Sequence, residues 1–155
     1  MKKKGLANPA NPAPLSGKQM SLKKYSLSET SVLHIQTPNG DPMYLDDAEK
    51  KPVLIHLYGV GSKQYQAAER KRQDALANKF KKYRNKTIPS EELEELRVDF
   101  LVRCVAKSEN FELDGQEGAE LYSAVFSDRS LIFITEQIER FIGDQVNFTN
   151  QPLTN

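Results

Sequence analysis

In the last third of the chain, hydrophobic residues recur at helical spacing. Leu131, Ile134, Ile138, Phe141 and Ile142 share one side, while Glu136, Glu139 and Arg140 fall on the other. The stretch from Leu121 to Phe148, LYSAVFSDRSLIFITEQIERFIGDQVNF, therefore predicts two short amphipathic helices joined at Ser127-Asp128 and closed by Gly143. It holds no catalytic constellation and reads as a docking face, part of which must also close this domain's own core. Phe133 falls off the stripe, and Val146 and Phe148 follow the close, so these three are the first places to look for a partner.

Upstream the pattern changes period. Ser31 to Gln36 and Val53 to Tyr58 are short runs rich in branched and aromatic residues, separated by the turn signal Pro38-Asn39-Gly40-Asp41-Pro42. They predict a β-hairpin or two neighbouring antiparallel strands. Regular pairing would set Leu33 and Ile35 with Leu57 and Ile55 on one face, and let His34 and His56 meet on the other. Two strands are not stable alone in water, and Glu112 to Asp114 is the candidate third.

Gly59-Val60-Gly61-Ser62 ends the second strand, and Ser62 can cap a helix running to about Arg84, with Tyr65, Ala68, Ala75, Leu76, Phe80 and Tyr83 as a thin apolar stripe. Thr87-Ile88-Pro89-Ser90 breaks it. Ser90 is the expected cap of the next helix, whose first turn carries Glu91 and Glu92 where the helix dipole favours negative charge. That helix is the expected centre of the core, with Leu93, Leu96, Phe100, Leu101 and Cys104 in one stripe and Val98, Val102 and Val105 widening it. Asp114-Gly115 predicts a tight turn. The expected fold class is α+β, mainly helical, with about four helices and a small antiparallel hairpin or sheet near the N-terminus.

The length of 155 residues suits one domain. Residues 1–28, with Asn8-Pro9, Asn11-Pro12 and Pro14, hold too few large apolar groups to offset the entropy of ordering and predict a flexible basic arm. The single domain is then expected over 29–148, followed by a polar tail over 149–155. One cysteine, no secretory signal and no long apolar run predict a soluble protein of a reducing cytoplasm.

The net charge of +1 hides strong segregation. Residues 1–28 carry six lysines and no acid, and residues 69–86 carry eight Lys/Arg against Glu69 and Asp74. Residues 91–99 carry five acids against Arg97, and residues 109–155 nine against Arg129 and Arg140. Such blocks imply either an anionic partner or neutralisation between neighbouring helices.

Each candidate chemistry has a simpler reading. His34 and His56, with Asp41, Asp46, Asp47 and Glu49 between them, lack the ligand spacing of a zinc or calcium site and read as solvent-facing histidines beside a solvated acidic loop. The turn at Gly59 to Ser62 lacks the lysine of a P-loop and the third glycine of a dinucleotide fingerprint, so it reads as a turn needing small residues for close packing. Cys104 sits on an apolar stripe, where burial raises a thiol's pKa. The basic helix, with Phe80 and Tyr83 interleaved, is the best nucleic-acid signal, but both aromatics fall on the core-facing stripe. Neither a catalytic group nor a cofactor or metal is expected.

Three segments, PVLIHLYGVGSKQYQAAERKR, LRVDFLVRCVAKSENFELDG and LYSAVFSDRSLIFITEQIERFIGDQVNF, resemble the tail assembly chaperones of long-tailed bacteriophages over about residues 28–148. The resemblance lies in a strand ending in a small-residue turn, a basic helix, a second helix leading to Asp-Gly, a Leu-Tyr helix, and a close of the form Ile-x-x-Gln-Ile-x-x-Phe-Ile-x-Asp-x-x-Asn-Phe. It implies a non-enzymatic factor of the host cell cytoplasm that coats the tape measure protein and helps tail tube subunits assemble around it, with self-association open and no membrane. The lysine-bearing arm is unlike that family and keeps a structural virion component, a neck or tail protein, as the alternative; a nucleic-acid-binding accessory protein is the third reading. Partner-binding candidates are Leu131, Phe133, Ile134, Ile138, Phe141, Val146 and Phe148 near the C-terminus, and Tyr65, Leu76 and Phe80 on the basic helix.

Overall fold

A computed structural model describes residues 21–84 and 86–149. Most of the arm expected over 1–28, and all of the tail beyond Thr149, lie outside the described residues. Within the first unit, residues 1–27 with 149–155, a 3-10 turn spans Leu22–Tyr25 with the Ser21 side chain accepting from Lys23 N at 3.2 Å. Local order therefore begins inside the segment expected to be flexible.

The second unit, Ser28–Phe148, has the expected fold class, α+β and mainly helical. In chain order it contains β1 (Thr30–His34), β2 (Tyr44–Asp46), β3 (Lys51–Pro52), β4 (Leu54–Tyr58), α1 (Lys63–Lys82), α2 (Ser90–Arg103), β5 (Val105–Glu109), α3 (Gly118–Ser127) and α4 (Ile132–Gly143). Strands β1, β4 and β5 form an antiparallel sheet in that order, and β2 pairs with β3 in a separate ladder.

Leu33 pairs with Ile55 and Ser31 with Leu57, and the ladder continues as Ile35 N donates to Val53 O at 3.0 Å. Ile35, Ile55 and Leu57 are fully buried, so the apolar face runs as the alternation required. The two histidines share the outer face but do not meet: His56 is opposite Val32 and His34 opposite Leu54, a diagonal offset of one pair. The 37–41 turn closes its own small loop, with Thr37 N bonding Asp41 O and Gly40 at φ 91°, so β1 and β4 are neighbours rather than one hairpin.

The third strand is Val105–Glu109, not Glu112 to Asp114. Helix α2 stops at Arg103, and Cys104 O accepts Tyr58 N at 2.8 Å, which draws the chain straight into the sheet. Val105, expected to widen the α2 stripe, is thereby a strand residue. Asn110 (φ 56°) turns the chain out again, and Asp114-Gly115 form the anticipated tight turn, both left-handed (φ 52° and 71°), with Gln116 N bonding Leu113 O.

Ser62 caps α1 as expected: its Oγ accepts Tyr65 N at 3.1 Å. Ser90 does not cap α2. It is the first helical residue, and Pro89, extended at φ −55° and ψ 140°, stands at the cap and offers its carbonyl to Glu92 and Leu93 N–H groups. The core gathers the sheet's inner face with Val98, Phe100, Leu101 and Cys104 of α2, Leu121, Val125 and Phe126 of α3, and Ile134, Ile138 and Ile142 of α4. Leu93 is in phase with Phe100 but stands in the first turn of α2, outside that cluster and 43% exposed. Of α1 only Ala68 is buried, which matches a thin stripe.

Candidate functional site

The expected docking segment does bring an apolar depression to the surface, but most of its walls come from elsewhere. A groove of about 270 Å³ opens between the β2 ladder, the loop after β5 and the junction of α3 with α4. Leu131 and Phe133 form one wall, both half-buried, and Val125 and Ile134 close it from beneath. The facing wall is Met43, Tyr44 and Leu45, the last 44% exposed, and Phe111 and Leu113 complete the rim. Its volume falls below the roughly 300–1,000 Å³ of small-molecule pockets, and its shape suits one or two apolar side chains inserted from a protein partner.

Local chemistry holds the walls in place. Asp128 caps the 3-10 turn Arg129–Leu131, its carboxylate accepting Ser130 N at 2.9 Å and Ser130 Oγ at 2.6 Å, and these bonds hold its carboxyl below the usual range. That turn delivers Leu131, and the first turn of α4 delivers Phe133, to the groove. Opposite, His34 packs edge-on to Tyr44 at 5.3 Å and its Nε2 lies 2.9 Å from Met43 O, while Lys50 lies over the Tyr44 ring at 5.1 Å. Gln137 fastens α4 to the sheet end: its Oε1 accepts Gln36 N at 2.8 Å and its Nε2 donates to Gln36 O at 2.7 Å.

The remaining sequence-chosen residues are not one surface. Ile138 and Phe148 are fully buried in this domain's own core and Ile134 nearly so, which corrects the expectation that they face a partner. Phe148 lies directly over Gly59, where a Cβ would come within 2.5 Å of the ring, and edge-on to Phe141 at 5.6 Å. The small residue at the strand-to-helix turn is thus explained by close packing. Tyr65 packs edge-on to Phe100 at 5.4 Å, and Leu76 is half-buried. Phe80 and Val146 are exposed, 48% and 54%, on elements apart from the groove. Met43 to Leu45 and Phe111 to Leu113 were missed because each lies among acids and turn residues; the one signal available was the run of three apolar residues at Met43 to Leu45, whereas Glu112 interrupts Phe111 and Leu113.

Three larger surface clefts, about 560, 530 and 500 Å³, are lined mainly by polar and small residues. The first adjoins Lys107, Glu112 and Glu117, the second Glu91, Glu94 and Arg129. His56 lies 2.7 Å from Glu109, and among the described residues no three His, Cys, Asp or Glu side chains are grouped to hold a metal ion. Burial pushes the Cys104 thiol up to about 12, far from a nucleophile's range. Among the described residues no helix is long and apolar enough to cross a membrane. No family model, curated protein or solved structure matches the chain.

Proposed function

We propose that this protein is a non-enzymatic phage tail assembly chaperone, acting in the host cell cytoplasm, that holds apolar helical segments of the tape measure protein while tail tube subunits assemble around it. The observation that carries the reading is the groove at Leu131 and Phe133: an apolar, side-chain-sized depression on a surface otherwise rich in charge. An amphipathic helix recognises such a groove by inserting a few anchors at helical spacing, which gives a reversible grip suited to a chaperone. Two of the groove's walls, at Phe111 to Leu113 and at Leu131 to Phe133, come from segments whose wording resembles the chaperone family, and Phe133, half-buried against the core cluster, turns its remaining surface to the groove.

The test is co-expression with a tape measure protein. The chaperone should raise that protein's soluble yield, and Leu45→Asp, at a groove residue 44% exposed, should abolish the gain while leaving this domain's own melting temperature within a few degrees. Unchanged solubility with the wild-type chain, or a full gain with the Asp variant, would overturn the reading. Detection of the chain in purified virions would favour the structural alternative.

A further inference from the structure

Most of the cations on the outward face of α1 have no ion-pair partner among the described residues. Lys63, Arg70 and Lys81 lie within about 20° of one line along the helix and span about 27 Å. Lys71 and Lys82 flank that line, Arg84 follows just past the helix end, and Asp74 is the one acid among them; all seven are exposed. The neighbouring acidic helix compensates the other side of α1 only. Glu92 takes Lys79 at 2.7 Å and approaches Lys82 at 4.0 Å. Glu94 and Asp99 turn to arginines of their own helix, Arg97 and Arg103. Arg72 is held within α1 by Glu69. Among the described residues Lys63, Arg70, Lys71, Lys81 and Arg84 are in no ion pair.

The complement is on the same domain. From Ser108 to Asp128 there are six acids and no Lys or Arg. Glu109 is occupied by His56 and Asp128 by its cap, which leaves Glu112, Asp114, Glu117 and Glu120 exposed and in no ion pair among the described residues.

We propose that the basic face of α1 is a self-association surface whose occupant is the acidic Glu112–Glu120 segment of a second copy of this chain. A polyanion such as duplex nucleic acid would match α1 alone and leave the acidic segment unmatched, whereas a second copy matches both surfaces at once. With a net charge of +1, copies do not repel one another as wholes, so the patches decide the approach. The pairing joins different patches, so it either forms twice across a two-fold axis or leaves one patch of each sign free at the ends. Exposed ion pairs are individually weak and salt-screened, so the association is reversible and confined to low ionic strength.

Sedimentation velocity on the full-length chain tests this. At roughly 20 mM salt, where screening is weak, the weight-average mass should climb above 17.6 kDa with concentration, and at about 500 mM it should return to the monomer. The triple variants K63E/R70E/K81E and E112K/E117K/E120K should each stay monomeric, and a one-to-one mixture of the two should associate again. The neutral variant K63Q/R70Q/K81Q, with an unchanged melting temperature, should also be monomeric, which separates lost contact from lost folding. A wild-type chain monomeric throughout at low salt, association indifferent to salt, or a mixture that fails to recover would each overturn the proposal. So would tight binding of a duplex oligonucleotide by a chain that stays monomeric.

Discussion

Replacing Gly59 with alanine puts the closure of the core at Phe148 to a quantitative test. A Cβ built on Gly59 would lie 2.5, 2.7 and 2.9 Å from three atoms of the Phe148 ring, where carbon atoms prefer about 3.5–4.0 Å, so the ring must retreat by about 1 Å. It has little room. The ring is 1% exposed and backed by Phe141, and its own backbone is tied down, since Phe148 O accepts both Ser28 N at 2.6 Å and Ser28 Oγ at 3.0 Å. Overpacking of this kind costs about 1–3 kcal/mol. Gly59 is not among the glycines with positive φ, so the alanine brings no backbone strain and the cost is steric alone. Phe148→Ala should cost about 3–5 kcal/mol. In that background the new methyl has space to enter, and Gly59→Ala should become neutral or stabilise slightly. Urea unfolding of the four proteins closes the cycle, with an expected coupling of about 1–3 kcal/mol; Phe148→Leu can replace the alanine if the latter is too unstable to measure. Additivity within about 0.5 kcal/mol would show that the ring does not rest on Gly59, and would return Phe148 to the residues available for a partner.

Three further outcomes follow from the contacts between helices. Glu92 accepts from Lys79 and from Tyr83 OH, and these bonds hold its carboxyl below the usual range. Its stabilising contribution is complete above the unfolded-chain value of about 4.3 and is lost as pH falls through the lower folded value. Glu92→Gln should therefore lower the melting temperature at pH 7 and flatten its fall below pH ~4; an unchanged acid limb would refute the role. The Cys104 thiol, fully buried and pushed up to about 12, should react with a disulfide reagent at pH 8 only as fast as the domain opens, and rapid full labelling of the folded chain would contradict its placement. Arg97 donates through Nε and Nη2 to Glu139 at 2.8 and 2.6 Å across α2 and α4, so Arg97→Lys should lose the two-pronged geometry at a cost below about 1 kcal/mol by thermal melting, since both side chains reach solvent.

The helices were legible because each writes its own period locally. Ser62 caps α1 from three residues away, and Ile134, Ile138 and Ile142 repeat at four-residue steps whatever the rest of the chain does. Strand β5 had no such signature. Val105-Ala106-Lys107-Ser108-Glu109 is an edge strand with a single buried neighbour, its register shifts beside Leu57, and its place is set by a hydrogen bond from Tyr58, far away in sequence. The Pro89 cap was hidden for a related reason: a serine one residue later is the stronger local signal, yet the proline's fixed φ makes its carbonyl the start of the helix.

The candidate groove shows the same limit at the level of function. Its walls come from Met43 to Leu45, Phe111 to Leu113 and Leu131 to Phe133, three segments that no window of sequence can see together. What the periodicity could identify was an excess: Phe133 is apolar where α4 does not need it for its stripe. An excess hydrophobe has two possible uses, a second packing contact within the chain or a surface held open for another molecule. The structure places Phe133 between these, half-buried against the core cluster on one side and lining an unfilled apolar groove on the other. Phe148, which looked equivalent by sequence, is used up by the glycine beneath it. The difference between the two lies in their surroundings: a glycine admits the Phe148 ring fully into the core, whereas Phe133 shares its groove with the half-exposed Leu45. Filling that space with Leu45→Phe should therefore block a partner's anchor while slightly raising this domain's own stability. The pairing of a higher melting temperature with a lost solubilising effect in co-expression would be hard to obtain if the groove were only a packing defect.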